Sequence, residues 1–252
     1  MKSFSSFDGT RIAYDEAGQG SPVVLVHGFA ASGDVNWVQP GVVEAIVASG
    51  RRAVWVDCRG HGSSDKPHDP AAYAGDAMAR DVSALLDHLG IDRFDLVGYS
   101  MGSAISIRLA LGEPRVRSVV LGGAGTGGRR ISRPTDRGPV LDGLLADERA
   151  SITDPTGRQF RAFAESTGAD RLALAAVVRA GMSDADPAGI AVATLVLIGA
   201  RDRLVGSASE LAAQIPGARH VTVGGDHLSA VAKPEFRQAI VDFLDEVSVP
   251  AS

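Results

Sequence analysis

The stretch Phe94-Asp95-Leu96-Val97-Gly98-Tyr99-Ser100-Met101-Gly102-Ser103 limits the possible folds of this chain more than any other. A short apolar strand runs into Gly-Tyr-Ser-Met-Gly, and a helical run over residues 104–110 follows at once. A serine at the tip of so sharp a strand-to-helix turn must take a strained backbone conformation. Its neighbours two residues either side come too close to other atoms for a β-carbon, which accounts for Gly98 and Gly102. The helix aims free N–H groups at the serine, and these favour a developing negative charge. With 30 glycines in 252 residues the pattern also arises by chance, so its surroundings carry the reading.

Those surroundings alternate strands and helices. Asp8-Gly9 is a hairpin turn signal between residues 4–7 and 11–14, at a sheet edge. A continuous apolar run at 23–26 predicts a strand buried on both faces, 52–56 reads as a second buried strand, and further strands are expected at 116–121 and 193–198. Helical patterns fall at 41–49, 74–89, 207–214 and 234–246, with Met78, Val82, Leu85, Leu86 and Leu89 on one face of the second. A last strand is expected near 219–223. The expected fold class is α/β: a mostly parallel eight-stranded sheet with helices on both faces. From 126 to 189 the β-rich runs vanish and arginine becomes frequent. Helical patterns near 139–149, 155–167 and 169–181 predict a small helical insertion, too short for a large core of its own. The expected division is a core of 1–125 and 190–252, with 126–189 inserted.

Composition narrows the partners. A formal net charge of −5 leaves no basic surplus for a nucleic acid. The single cysteine, Cys58, forms no disulfide within the chain and fits a reducing compartment. The N-terminal residues lack the apolar run of a signal peptide, and no stretch has the length of a membrane span. The expectation is a cytoplasmic protein, monomer or homodimer, with a small-molecule partner, no nucleic acid and no membrane.

In an open parallel sheet the functional loops gather at the carboxyl ends of the strands. Here those ends carry His27-Gly28-Phe29, Ser100, Asp202 and His227. A serine hydroxyl needs a base to become nucleophilic, and the base needs an acid to fix its tautomer. The chain order is Ser, Asp, His.

In these pieces the chain resembles the α/β-hydrolase superfamily over nearly all its length. The matching pieces are His27-Gly28-Phe29, the loop from Asp57 to Ser64 (Asp-Cys-Arg-Gly-His-Gly-Ser-Ser), Gly98-Tyr99-Ser100-Met101-Gly102, Gly199-Ala200-Arg201-Asp202 and Gly225-Asp226-His227. The resemblance implies Ser100 as nucleophile, His227 as general base and acid, and Asp202 as its orienting acid. It implies an oxyanion hole from the backbone N–H groups of Phe29 and Met101. Segment 126–189 falls where the family places its cap. No metal or organic cofactor is implied.

Other residues take duller roles. His27 and His61 read as loop supports, and His68, His88 and His220 as surface or strand-end residues. Asp226 adjoins the histidine and is poorly placed to aim at it, which favours Asp202. Asp57 belongs to loop structure, Cys58 is a packed thiol, and Asp34 and Asp65 are solvated or loop-fixing. Phe29, Tyr99 and Met101 are expected in the substrate floor. Leu141, Leu144, Leu145, Phe160, Phe163, Leu172, Leu174, Val177, Val178 and Met182 are candidate pocket residues, most of them expected to pack the insertion onto the sheet. Arg129, Arg130, Arg133, Arg137, Arg149, Arg158, Arg161, Arg171 and Arg179 are expected as solvated surface charge.

The expected activity is hydrolysis of small carboxylic esters through an acyl-enzyme, faster on short acyl chains than on long ones. Alternatives on the same triad are an enol-lactone-type lactonase, a carbon–carbon bond hydrolase, and a cofactor-free peroxidase or perhydrolase. A further alternative is a non-enzymatic small-molecule receptor or regulator.

Overall fold

The computed structural model describes residues 1–127, 138–182 and 184–248. Eight strands form one sheet: β1 (Lys2–Ser5), β2 (Arg11–Ala17), β3 (Pro22–Val26), β4 (Arg52–Val56), β5 (Phe94–Tyr99), β6 (Val116–Gly122), β7 (Ala193–Gly199) and β8 (Arg219–Val223). Their order is β1-β2-β4-β3-β5-β6-β7-β8. The β1–β2 hairpin and the β2–β4 pair are antiparallel, and every later pair is parallel. The expected eight-stranded, mostly parallel sheet is present.

The helices are α1 (Val42–Ala48), α2 (Ala77–Leu89), α3 (Met101–Gly112), α4 (Gly138–Leu145), α5 (Pro155–Ser166), α6 (Arg171–Ala180), α7 (Ala208–Gln214) and α8 (Pro234–Ser248). Strand periodicity sorts the side chains between two cores. Val24, Val26, Leu96 and Val119 face Leu85, Ile105 and Leu211 of α2, α3 and α7. Val23, Leu25, Val97 and Val120 face Val43 and Ile46 of α1 and Phe236, Ile240 and Phe243 of α8. Strands buried on both faces are therefore mostly apolar, and the buried Asp95 of β5 is satisfied by Ser118 and Arg117 of β6.

Helices α4 to α6 lie between β6 and β7 in the chain. Val140, Leu144, Ala164 and Leu174 form a small separate core that takes in Ala30 from the loop after β3. The helix expected to run to 149 stops at Leu145. Arginines explain the stop. Arg161 donates to the carbonyls of Gly143 and Ala146 at 3.2 and 2.7 Å, and Arg171 to those of Leu144 and Ala146 at 3.0 and 3.2 Å. The carbonyls that further turns would have used are thus satisfied by side chains. Arg161 is 5% exposed, so it is not the surface charge expected of it. Arg129, Arg130, Arg133 and Arg137 lie outside the described residues.

A turn of π-helix at Asp34–Val38 follows β3, with no pattern in the sequence to announce it. It carries Asn36, whose buried side chain bears on the site described next.

Candidate active site

Ser100 sits between β5 and α3 with φ 53° and ψ −111°. Ala30 (φ 60°) is the one other non-glycine residue with positive φ among the described residues. Such a conformation costs on the order of 1–3 kcal/mol and persists only where the surroundings hold it. The Ser100 N–H donates to the Gly122 carbonyl at 2.8 Å, and the Ser103 hydroxyl donates to the same oxygen at 2.7 Å. A β-carbon on Gly102 would lie 1.9 Å from the Val26 carbonyl oxygen, and one on Gly98 would lie 2.5 Å from the Gly102 oxygen. The crowding inferred from the motif is real at both glycines.

The loops after β7 and β8 meet this turn. His227 Nε2 lies 2.9 Å from Ser100 Oγ, and its Nδ1 lies 2.7 Å from Asp202 Oδ2. With the Asp202 carboxylate accepting at Nδ1, the neutral ring carries its proton there. Nε2 then keeps its lone pair for the serine hydroxyl. The Asp202 side chain is fully buried, and its Oδ1 accepts the Leu204 N–H at 3.0 Å. The Tyr99 hydroxyl donates to the His227 carbonyl at 2.6 Å, holding the histidine loop from beneath. Asp226 accepts from the N–H groups of Leu228 and Ser229 and from the Ser229 hydroxyl. It ties its own turn while Asp202 takes the histidine.

The loop after β3 completes the site. His27 is fully buried. Its Nε2 accepts the Cys58 N–H at 2.9 Å, so Nδ1 carries the proton and donates to the Gly28 carbonyl at 2.7 Å. Burial holds the His27 pKa down at about 4. His61 is also fully buried, packs edge-on to both His27 and Phe29, and is pushed down to about 3 by burial and by His27. Asn36 Oδ1 accepts the Gly28 N–H at 2.7 Å. Thr167, just past α5, donates its hydroxyl to the Ala30 carbonyl at 2.8 Å. Within the described residues the Phe29 N–H donates to no protein acceptor. Met101 opens α3, where an N–H has no partner inside the helix.

Asp57 accepts from the N–H groups of Gly33 and Ser63 at 2.8 and 2.7 Å, as loop structure. Cys58 is buried, and desolvation pushes its thiol far up. Asp65 fixes the Arg11 N–H at 2.8 Å. His88 and His220 are exposed, and exposed His68 meets Asp170 at the start of α6 at 3.0 Å. Asn36 and Thr167 escaped sequence reading, since neither stands in a recognisable pattern.

A cavity of about 460 Å³ opens onto Ser100 and His227. Phe29, Tyr99 and Met101 line it as expected, together with Asn36. Of the ten apolar candidates from the insertion, Phe160, Phe163, Val177, Val178 and Met182 line it. Leu144 and Leu174 are buried in the core of the inserted helices, while Leu145 and Leu172 are exposed. Among the described residues the arginine lining the cavity is Arg108 of α3, not one from the inserted helices. No group of three His, Cys, Asp or Glu among the described residues is placed to hold a metal ion. No described helix is long and apolar enough to cross a membrane.

A family model described as the alpha/beta hydrolase fold matches residues 21–167, more than half of the chain. The chain belongs to the α/β-hydrolase fold family. Among relatives of this α/β hydrolase, a 2-hydroxy-6-oxononadienedioate/2-hydroxy-6-oxononatrienedioate hydrolase from Paraburkholderia phymatum is 39% identical over 143 residues, 54% of this chain and 49% of the relative. The chain thus spans about half the length of the curated relatives it matches. Among solved structures, a bromoperoxidase from Bacillus anthracis superposes with a TM-score of 0.78 at 25% identity, covering 97% of this chain and 100% of the other. An enol-lactonase from Burkholderia xenovorans gives 0.74 at 25% identity, with the same coverage.

Proposed function

We propose that this α/β hydrolase cleaves small carboxylic esters through an acyl-enzyme on Ser100. The observation that carries the reading is the hydrogen-bonded relay from Asp202 through His227 to Ser100, at 2.7 and 2.9 Å, facing a mostly apolar cavity. Ser100 Oγ attacks the ester carbonyl while its proton passes to His227 Nε2. The N–H groups of Phe29 and Met101 stabilise the oxyanion, and one such donor is worth about 3 kcal/mol of barrier. The tetrahedral intermediate expels the alcohol, which takes the proton from His227. Water then gives a proton to the same nitrogen, attacks the acyl-serine, and releases the acid with Ser100 restored. Residues 126–189 act as a cap over this site, with Phe160 packed edge-on to Phe29 at 5.7 Å between ring centroids.

A second reading, hydrolysis of a carbon–carbon bond beside a ketone, is supported by relatives named as hydrolases of 2-hydroxy-6-oxo-dienedioates, anions that an arginine such as Arg108 in the cavity could meet. Rapid mixing with p-nitrophenyl acetate and butyrate separates the two. Ester chemistry predicts a burst of about one equivalent and then steady turnover, with Ser100→Ala slower by at least about a thousandfold. Absence of turnover on both esters, with loss of the dienoate absorbance of a 2-hydroxy-6-oxo-dienoate, would sink the ester reading in favour of the second.

A further inference from the structure

Residues Gly28 to Ala31 form a turn, closed by the Ala31 N–H, which donates to the Gly28 carbonyl at 3.2 Å. The third residue of the turn is Ala30, fully buried and at φ 60°, a place that usually calls for glycine. The sheet side holds the front of the turn. Asn36 takes the Gly28 N–H, and His27 donates to the Gly28 carbonyl at 2.7 Å. The inserted helices hold the back. Ala30 packs among Val140, Leu144, Ala164 and Leu174, and Phe160 of α5 meets the Phe29 ring edge-on.

Thr167, which caps the C-terminal end of α5, adds a polar link to that turn. Its hydroxyl has one proton and three carbonyls in reach: Ala30 at 2.8 Å, Ala164 at 3.1 Å and Phe163 at 3.2 Å. The Ala164 and Phe163 oxygens already accept the N–H groups of Ala169 and Thr167, at 2.9 and 3.1 Å. The Ala30 oxygen accepts no backbone N–H among the described residues, so the proton goes to it. Peptide planarity carries this bond toward Ser100. The Ala30 carbonyl and the Ala31 N–H share one rigid plane and point to opposite sides of it. Fixing that carbonyl aims the Ala31 N–H at the Gly28 oxygen. The Gly28 carbonyl and the Phe29 N–H share a second such plane. Two bonds at the Gly28 oxygen, from His27 and Ala31, fix its tilt, and with His27 alone it is free to tip.

We propose that Thr167 is a positioning residue through which the inserted helices set the oxyanion hole, by way of the Ala30 carbonyl, the Ala31 N–H and the Gly28 carbonyl. The proposal rests on the ester-hydrolase reading for the role of the Phe29 N–H. Ser100, Asp202 and His227 all lie outside residues 126–189, so breaking the link leaves their mutual hydrogen bonds in place and moves the donor. The hydrolase is then fully competent only with α5 docked on the turn.

Thr167→Val keeps the branched shape and removes the donor. It should lower kcat on p-nitrophenyl butyrate by about tenfold with KM within about twofold, and Thr167→Ser should recover most of the loss. Butylboronic acid reads the hole without turnover. Boron accepts the Ser100 Oγ as its proton passes to His227, nothing leaves, and one boronate oxygen takes the oxyanion position. The inhibition constant should rise by about tenfold in Thr167→Val. Thr167→Ala, which adds no bulk, repeats both measurements, with urea midpoints to show that each variant is folded. His68→Ala is the control: it removes the 3.0 Å contact from the loop after β4 to Asp170 but leaves the Ala30 carbonyl bonded. Its kcat should stay within about twofold of the wild type, as for the loss of an exposed pair. Equal losses in His68→Ala and Thr167→Val, a change confined to KM, or an unchanged boronate constant would each overturn the link. If the wild type neither turns over the ester nor binds the boronic acid, the ester reading falls and takes the link with it. If the wild type does both and Thr167→Val matches it, the link alone falls.

Discussion

Asn36 shows how a single side chain can matter to a reaction without touching the reacting atoms. Its Oδ1 holds the Gly28 N–H at 2.7 Å, one residue before the Phe29 N–H proposed for the oxyanion. The cavity wall needs that N–H unpartnered by the protein, so the loop must be pinned at its neighbour. Losing the pin lets the loop rotate, and a donor misplaced by about 1 Å can cost up to a hundredfold. Asn36→Ala should therefore lower kcat on p-nitrophenyl butyrate by about tenfold or more with KM little changed. Asn36→Asp, which keeps the acceptor, should recover part of the loss. A drop confined to KM would assign Asn36 to substrate contact instead.

Among the elements, the contact between α3 and β3 is the tightest test of the fold. Gly102 rides against the carbonyls of Val26 and His27, with no room for a β-carbon. Because both neighbours are backbone, they cannot swing aside as a side chain would. Gly102→Ala should destabilise the protein by about 3 kcal/mol or more, at or above the upper end of ordinary overpacking, because main chain must move. Gly112, at the other end of the same helix, meets nothing within 4 Å. Gly112→Ala should be neutral or stabilising by up to about 1 kcal/mol, through helix propensity alone. Chemical denaturation of the two variants side by side checks both values, and similar losses in the two would remove the argument from close approach.

For the whole molecule, two buried histidines set an acid limit. His27 and His61 are held neutral in the fold, at about 4 and about 3, against an ordinary value of 6.5. Above about pH 6.5 neither state takes up these protons, and stability is complete. As pH falls below that, the unfolded chain binds protons that the native state refuses, so stability is lost down to the native pKa values. Each histidine contributes about 1.4 kcal/mol of loss per pH unit across its window. His61→Gln should make the fall between about pH 6 and 4.5 about half as steep. Urea midpoints measured across that range give the slope directly, and an unchanged slope in the variant would exclude His61 as a source.

The sequence alone determined the layer order, the strand-to-helix turn at Ser100 and the chain order Ser100, Asp202, His227. These are local matters. Strands buried on both faces are mostly apolar, and a turn without room for a β-carbon must be glycine. Tertiary structure alone decided the distances at which Asp202, His227 and Ser100 meet, because these depend on where the loops after β7 and β8 come to lie. It also made Asn36 the support of the Phe29 loop, turned Arg161 inward to close the carbonyls after α4, and split the ten apolar candidates between the cavity and other positions. Each of these depends on which groups from distant parts of the chain share one buried space. No pattern within a window of sequence records that.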